Sequence, residues 1–455
     1  MNASKRTTLA ALLTIAVASA GACGSKKDAP AGEEKAAKNQ VVMIIVDTLR
    51  VDHLGCYGYE HPTSPKIDAL AADSIVFENA HAAAPWTEAS IASMVTGVYP
   101  RVLGITKSPV NLPDGHTMLA ERFEEAGYET GAVISHDMIS KRKGFSQGFD
   151  MFDESQSGKG HLYVSSPRIS KKAVDFIDDH KDDDFFLFLH YFDPHWEYLP
   201  HKELTTYPDY AGKIKSKRYR NVKLIRKLYE GGKLSADDMR YMISLYDSEI
   251  RFTDTHIGTV LDRMRKLGIY DNATVIFVAD HGEEFGERED KWIGHAVKVT
   301  QELIRVPLMI KLPGGAEKKR VAKRVSLVDL APTILSLAGL KGLEGMHVSG
   351  SAWNLDDMSG STPDLFAETW RYGSWRTAIS GRWKYLINFE VDTAHLYDLD
   401  ADPYAWKDVI GEHPEVAAAM KKKLEGWETF QDMAVEKLDL EAKESVLSKE
   451  EKAKL

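Results

Sequence analysis

Three apolar runs, each stopping at a residue that can bind a cation or move a proton, constrain this 455-residue chain more than any other feature. Val41-Val42-Met43-Ile44-Ile45-Val46 is β-branched and almost wholly apolar, and it stops at Asp47. Residues 185–190 and 274–279 repeat the pattern and end at His190 and Asp280. A strand without polar alternation is buried on both faces, as in the middle of a parallel sheet. Helical stretches fall between the runs, at 89–96, 118–126, 171–179 and 236–267. Strands alternating with helices predict an α/β fold with a mostly parallel central sheet and helices on both faces. In such sheets chemistry gathers at the carboxyl ends of the strands, where Asp47, His190 and Asp280 stand.

The texture changes after Pro307. Residues 326–339 read as one more helix with its cap, 378–387 and 395–399 as short antiparallel strands, and a charged helix begins near Pro414. The expected organisation is a signal peptide at 1–22, a tether at 23–39 and a catalytic domain at 40–364. A smaller α+β subdomain at 365–430 and a charged C-terminal helix at 431–455 follow. At 43% hydrophobic and 28% charged residues, the chain is neither wholly disordered nor a polytopic membrane protein. Its net charge of −10 argues against a nucleic-acid partner. Two cysteines, Cys23 and Cys56, exclude a disulfide framework and a multi-cysteine metal site.

Lys5 and Arg6 precede an apolar run at 9–22 that is shorter than a membrane span of ~20 residues. The run closes on Ala20-Gly21-Ala22-Cys23, small residues and then a cysteine, which is a secretory pattern. It resembles the lipobox of bacterial lipoproteins, in which the cysteine is lipidated and becomes the first residue. Ala20 stands where leucine is usual, and a plain signal peptide cleaved near Ala22 is the alternative. Residues 24–39, rich in Lys, Glu, Ala and Gly, read as a flexible tether. The expectation is export to the periplasm or cell envelope, with a membrane anchor at Cys23.

Motifs then follow one another along most of the chain. Asp47-Thr48-Leu49-Arg50 opens a segment that runs through Gly55-Cys56-Tyr57-Gly58. Trp86-Thr87-Glu88-Ala89-Ser90 leads into Thr96-Gly97-Val98-Tyr99-Pro100. His190-Tyr191-Phe192-Asp193-Pro194-His195, Ala279-Asp280-His281-Gly282-Glu283, Gly294-His295 and Arg305-Val306-Pro307 come next. Over 40–430 the chain resembles the sulfatase family of the alkaline phosphatase superfamily.

That resemblance implies a metal-dependent ester hydrolase with one divalent ion, Ca2+ or Mn2+ with Zn2+ as an alternative. It implies Asp47, Asp280 and His281 as metal ligands. Thr48 occupies the position where many relatives carry a further acidic or amide ligand, and Thr87 is a candidate to complete the coordination. It also implies that His190, His195 and His295 bind the ester or protonate the leaving group. The local motif around His136 departs from the family's and leaves it outside the expected site.

Thr87 stands at the family's nucleophile position. Sulfatases carry cysteine or serine there, within C-x-P-x-R or S-x-P-x-R, and oxidise it to formylglycine. This chain reads Thr87-Glu88-Ala89-Ser90-Ile91. A hydrated aldehyde expels sulfate by collapsing to the carbonyl, whereas a threonine ester has no second hydroxyl. A phosphothreonine intermediate is released more easily, by attack at phosphorus. Threonine nucleophiles resemble those of the superfamily's phosphoethanolamine and glycerophosphate transferases. The bland reading of Thr87 is an N-cap for a helix starting near Ala89.

The expected function is an exported hydrolase of sulfuric or phosphoric esters, with Thr87 favouring phosphate or phosphonate esters. The alternatives are a phosphotransferase moving a headgroup to a glycan or lipid acceptor, and a non-catalytic binding protein on the same scaffold. The expected partner is an anionic ester, on a glycan or a lipid. Residues 213–227 hold eight basic side chains and no acidic one, either a solvated surface or a lid that attracts a polyanion. Arg50 reads as a substrate contact or a surface salt bridge, Arg305 as structural and Cys56 as a buried thiol. Replacing the anchor cysteine, Cys23→Ser, is expected to move the protein from the membrane pellet to the soluble envelope fraction and to abolish incorporation of labelled palmitate. An unchanged distribution would remove the anchor.

Overall fold

A computed structural model describes residues 38–106, 110–157, 165–201, 203–215, 221–315, 318–343 and 348–452. The signal peptide read at 1–22, Cys23 and the tether as far as residue 37 lie outside the described residues, as do 216–220 of the basic stretch.

The chain forms strands β1 (Gln40–Val46), β2 (Ile75–His81), β3 (Glu129–Val133), β4 (Met151–Asp153), β5 (Phe185–Tyr191) and β6 (Thr274–Ala279). A short ribbon of β7 (Glu284–Phe285) and β8 (Ile293–Gly294) precedes β9 (Arg305–Lys311) and β10 (Lys319–Ser326). Among the described residues the main sheet has eight strands in the order β10-β2-β9-β6-β1-β5-β3-β4. Its pairings are parallel except those that β9 makes with β2 and β6. The three apolar runs are its centre: β1 lies between β5 and β6, and every residue of all three is buried.

Helices α1 (Pro65–Ala71), α2 (Thr87–Thr96), α3 (Leu119–Glu125), α4 (Ser166–Asp179), α5 (Val222–Glu230), α6 (Ala236–Lys266), α7 (Gln301–Ile304) and α8 (Leu330–Leu337) connect the strands. In one layer α1 and α4 pack on α6; in another α3 and α8 pack on α2. The apolar stripe of α4 is Ile169, Ala173, Phe176 and Ile177, the spacing that turns one helical face inward. Ser235 and Asp238 form a reciprocal capping box at the start of α6. That box sets where the basic insertion ends and the long helix begins.

The second sheet is β11 (Leu365–Thr369), β12 (Trp375–Ser380), β13 (Trp383–Asn388) and β14 (Thr393–Asp398), all antiparallel. The stretch read as one strand at 378–387 is in fact a hairpin. Gly381 adopts φ 54°, a left-handed conformation that glycine accepts without a steric cost, and the chain reverses there. Helix α9 (Pro414–Lys452) runs through residue 430 without a break.

The described residues from Lys38 onward form one compact unit, and the contacts explain why the second sheet does not stand apart. Ala83, Tyr99 and Val328 of the main body share an apolar cluster with Ala378, Leu396 and Trp427. The Glu368 amide donates to the Ala83 carbonyl at 3.0 Å. Lys384, fully buried, donates to the Val299 carbonyl at 2.7 Å and to Gln301 Oε1 at 3.1 Å. Trp427 closes the seam, stacked on Phe366 at 5.0 Å and edge-on to Tyr99 at 5.1 Å. Truncating it, Trp427→Ala, removes a large buried ring and is expected to cost about 3–5 kcal/mol, read as a lower midpoint in denaturant unfolding.

Candidate active site and metal centre

The register of the central strands builds the site. Val46 lies opposite Ala279, so the residues that follow, Asp47 and Asp280, leave neighbouring strands side by side. On the other flank Ile45 lies opposite His190. Asp47, His190 and Asp280 are fully buried, and each offers a ligand atom within 4.8 Å of the others. His281 joins them: its Nε2 is 3.7 Å from Asp47 Oδ1 and 3.5 Å from Asp280 Oδ2.

The atoms facing inward are the ones without a partner. Asp47 Oδ1, His190 Nε2 and Asp280 Oδ2 are buried and make no hydrogen bond. Their outward atoms are held. Asp280 Oδ1 accepts from the amides of His281 at 2.8 Å and Thr48 at 3.2 Å. The Ser135 hydroxyl donates to the His190 carbonyl at 2.7 Å, which leaves its oxygen to accept from His190 Nδ1 at 3.0 Å. His281 Nδ1 donates to the Gly282 carbonyl at 2.9 Å. Both imidazoles therefore present an unprotonated Nε2 to the cluster, the tautomer a metal ligand needs.

Burial sets the charge problem. It pushes Asp280 up to about 6, with Asp47 adding repulsion. Asp47 is raised by burial as well. His190 is pushed down to about 4 by burial and stays neutral. Two buried carboxylates with orphaned oxygens are costly unless a cation lies between them. The donor set, two carboxylates and two imidazoles, fits a divalent ion.

Thr87 is brought to the same place. It is the first residue of α2 rather than its cap; Trp86 holds the cap position. Its hydroxyl donates to Asp47 Oδ2 at 3.3 Å and lies 3.4 Å from His281 Nε2. The capping role is therefore replaced by one facing the cluster. Every residue of α2 is buried, and Ser90 on its next turn donates to the Asp280 carbonyl at 2.6 Å. Glu88 is paired with the buried Lys143 at 2.8 Å.

Several expectations change. His190, read as an ester or leaving-group contact, lies in the carboxylate cluster, 3.5 Å from Asp47 Oδ2, because its strand neighbours β1 directly. Thr48 turns its hydroxyl to the Asp47 carbonyl at 2.8 Å and not to the cluster; its backbone has φ 53°. Arg50 is neither a substrate contact nor a surface pair. It is buried, bound to Asp52 at 2.8 Å and to Glu287, away from the cleft. Arg305 donates to the Glu78 carbonyl at 2.9 Å and Cys56 is a half-buried thiol raised by burial.

Above the cluster, Thr87, His136, His195 and His295 line one cleft of ≈ 480 Å³ with Trp196, Lys223, Arg226, Trp292, Arg371 and Tyr372. His195 donates through Nδ1 to the Trp196 carbonyl at 2.7 Å, and its ring lies 4.9 Å from that of His295. His295 Nδ1 is 2.9 Å from Glu283 Oε1, and its ring is 4.6 Å from that of His281. Glu283 is fully buried and its acidity is weakened by burial. His136, set aside from the sequence, and Glu283, Lys223, Arg226, Trp292 and Arg371 are the site residues that sequence reading missed. Glu283 sits within the Asp280-His281-Gly282-Glu283 motif and Lys223 and Arg226 within the basic stretch; nothing local marks Arg371.

The family model described as Sulfatase matches residues 39–340. The chain belongs to the sulfatase family. It is a sulfatase-like ester hydrolase, and a second model, N-sulphoglucosamine sulphohydrolase, C-terminal, matches residues 290–429. The ulvan-active sulfatase of Formosa agariphila is 26% identical over 88% of this chain and 84% of its own length. The structure of BT4656 in complex with its substrate D-glucosamine-2-N,6-O-disulfate superposes with a TM-score of 0.71 at 18% identity, covering 87% of this chain and 98% of that one. The phosphonate monoester hydrolase of Agrobacterium radiobacter gives 0.68 at 17% identity, covering 86% and 96%. Both structural likenesses show the fold.

Removing one of the two adjacent carboxylates tests the charge argument in this sulfatase-family chain. Asp280→Asn is expected to raise the melting temperature of metal-stripped protein, by relieving about 1–3 kcal/mol of burial cost. The variant is also expected to lose the thermal shift that added Mn2+ gives the parent. A variant that keeps the metal-induced shift would remove Asp280 from the metal centre.

Proposed function

We propose that the protein is an exported, metal-dependent hydrolase of phosphate or phosphonate esters, with Thr87 as its nucleophile. The observation that carries this reading is the Thr87 hydroxyl, held 3.3 Å from Asp47 Oδ2 and 3.4 Å from His281 Nε2, where a formylglycine precursor would be cysteine or serine. A divalent cation held by Asp47, His190, Asp280 and His281 would lower the pKa of that hydroxyl and neutralise the ester's oxygens. Two imidazoles in the donor set favour manganese or zinc over calcium, which prefers an all-oxygen shell.

Asp47 Oδ2, 3.3 Å from the Thr87 hydroxyl, accepts its proton. Thr87 Oγ attacks phosphorus as the bond to the leaving oxygen breaks. His295, oriented by Glu283 through Nδ1, supplies the proton to that oxygen from its other nitrogen. Water then attacks phosphorus, the bond to Thr87 Oγ breaks as Asp47 returns the proton to that oxygen, and His295 recovers a proton from the water. His195 and His136 border the same cleft as Thr87 and His295. Lipid anchoring at Cys23 would place this cleft at a membrane surface.

The test is to assay the full chain and Thr87→Ala with manganese, zinc or calcium on matched aryl phosphate, phosphodiester, phosphonate and sulfate esters. Phosphorus-ester turnover falling by about 10³-fold or more in Thr87→Ala is the expected result. Sulfate turnover that survives the substitution would overturn the reading.

A further inference from the structure

The cleft carries positive charge that the reaction just described does not use. Among the described residues its lining includes Lys223, Arg226 and Arg371 and no carboxylate, in a chain whose net charge is −10. Arg226 is already committed. It stacks on the Trp292 ring at 3.5 Å and donates to the Ile293 carbonyl at 3.0 and 2.5 Å. That contact fixes α5 against the segment leading to His295. Lys223 precedes Arg226 by one helical step of three residues and so shares its face. It is thereby delivered to the same cleft, with its side chain exposed.

Arg371 comes from the turn between β11 and β12. Its guanidinium lies 4.7 Å from the Trp86 ring, next to Thr87 in sequence. Its Nη1 donates to the Met138 sulfur at 3.5 Å, a weak acceptor. Its Nε is buried and makes no hydrogen bond. The nearby Glu88 gives one oxygen to Lys143 at 2.8 Å, and its Oε2 makes no hydrogen bond to Arg371 or to any other described group. A guanidinium that lines an open cleft, and whose Nη1 is met by a thioether, keeps hydrogen-bonding capacity for an oxyanion.

We infer that Arg371 and Lys223 form a second anion subsite, so that the substrate carries a further negative group beyond the ester cleaved at Thr87. This rests on the proposed function for the position of the scissile group. The scissile ester engages Thr87 and the Asp47–His190–Asp280–His281 cluster, whereas both cations stand on the cleft walls outside that cluster. Trp292 and Tyr372, the latter 68% exposed, add flat apolar faces for the body of the substrate. The fitting ligand is a doubly anionic sugar ester, its second group a sulfate, phosphate or carboxylate.

The test measures binding by calorimetry in the full chain carrying Thr87→Ala, so that it does not depend on Thr87 being the nucleophile. The probes are glucosamine 6-phosphate and glucosamine 6-sulfate, each with and without an N-sulfate. The N-sulfated sugars are expected to bind about tenfold more tightly, the value of one charge-assisted contact. Adding Arg371→Gln or Lys223→Gln should each erase most of that preference, with Arg371→Lys restoring part of it. Lys223 lies on an exposed helix surface, so its substitution reads the subsite even if Arg371→Gln fails to fold. Lys227→Gln, exposed on the same helix, should keep the preference. Equal affinity for sugars with and without the N-sulfate, variants that weaken both equally, or no binding at millimolar sugar would each overturn the subsite. Lost turnover in the single Thr87→Ala test with an intact N-sulfate preference would leave both readings standing; a surviving sulfate turnover with that preference would overturn the nucleophile alone.

Discussion

Two carboxylates that leave adjacent parallel strands at the same level govern this molecule. The pairing of Val46 with Ala279 leaves Asp47 and Asp280 no freedom to separate, and both are fully buried. Their mutual repulsion must be met by something positive. The neighbouring features complete a site for a cation. His190 comes from the strand on the other side of β1, and Ser135 fixes its tautomer. His281 is fixed in the same sense by a backbone carbonyl. Helix α2 is pinned to the Asp280 backbone by Ser90 and brings a hydroxyl against the cluster.

The sequence made the strand ends legible because a doubly buried strand has no polar alternation, and the polar residue that breaks the run stands out. Asp47, His190 and Asp280 were found that way. What stayed hidden was register. Which residue lies opposite which depends on strand order, and no local pattern reveals that β1 sits between β5 and β6. His190 was therefore assigned to substrate when its strand places it with the carboxylates. Thr87 was read as a possible cap because Ser, Thr and Asp favour that position, yet Trp86 takes it and frees the hydroxyl. The hairpin at Gly381 was readable in principle from a glycine inside an alternating run. Arg371 was not, since its value comes from Trp86 and Met138, both distant in sequence.

The C-terminal sheet has a double duty. Its apolar face shares a cluster with Ala83, Tyr99 and Val328, and its β11–β12 turn reaches the catalytic cleft. Lys384 is the fastening, a buried amino group satisfied by groups of the main body. Stability and substrate selection consequently share one seam.

Thr48 shows what such placement demands. A β-branched residue at φ 53° lies in a region that costs of the order of 1–3 kcal/mol. It is held there by Tyr246, whose hydroxyl donates to the Thr48 carbonyl at 2.8 Å and accepts from the Arg50 amide at 2.8 Å. A domain of this kind stays folded by a margin of only about 5–15 kcal/mol. A noticeable share of that margin is surrendered at one residue, and in return the Thr48 amide keeps Asp280 aimed at its neighbour across the strand. The thermal tolerance of this chain and the aim of its carboxylates thus draw on the same small reserve.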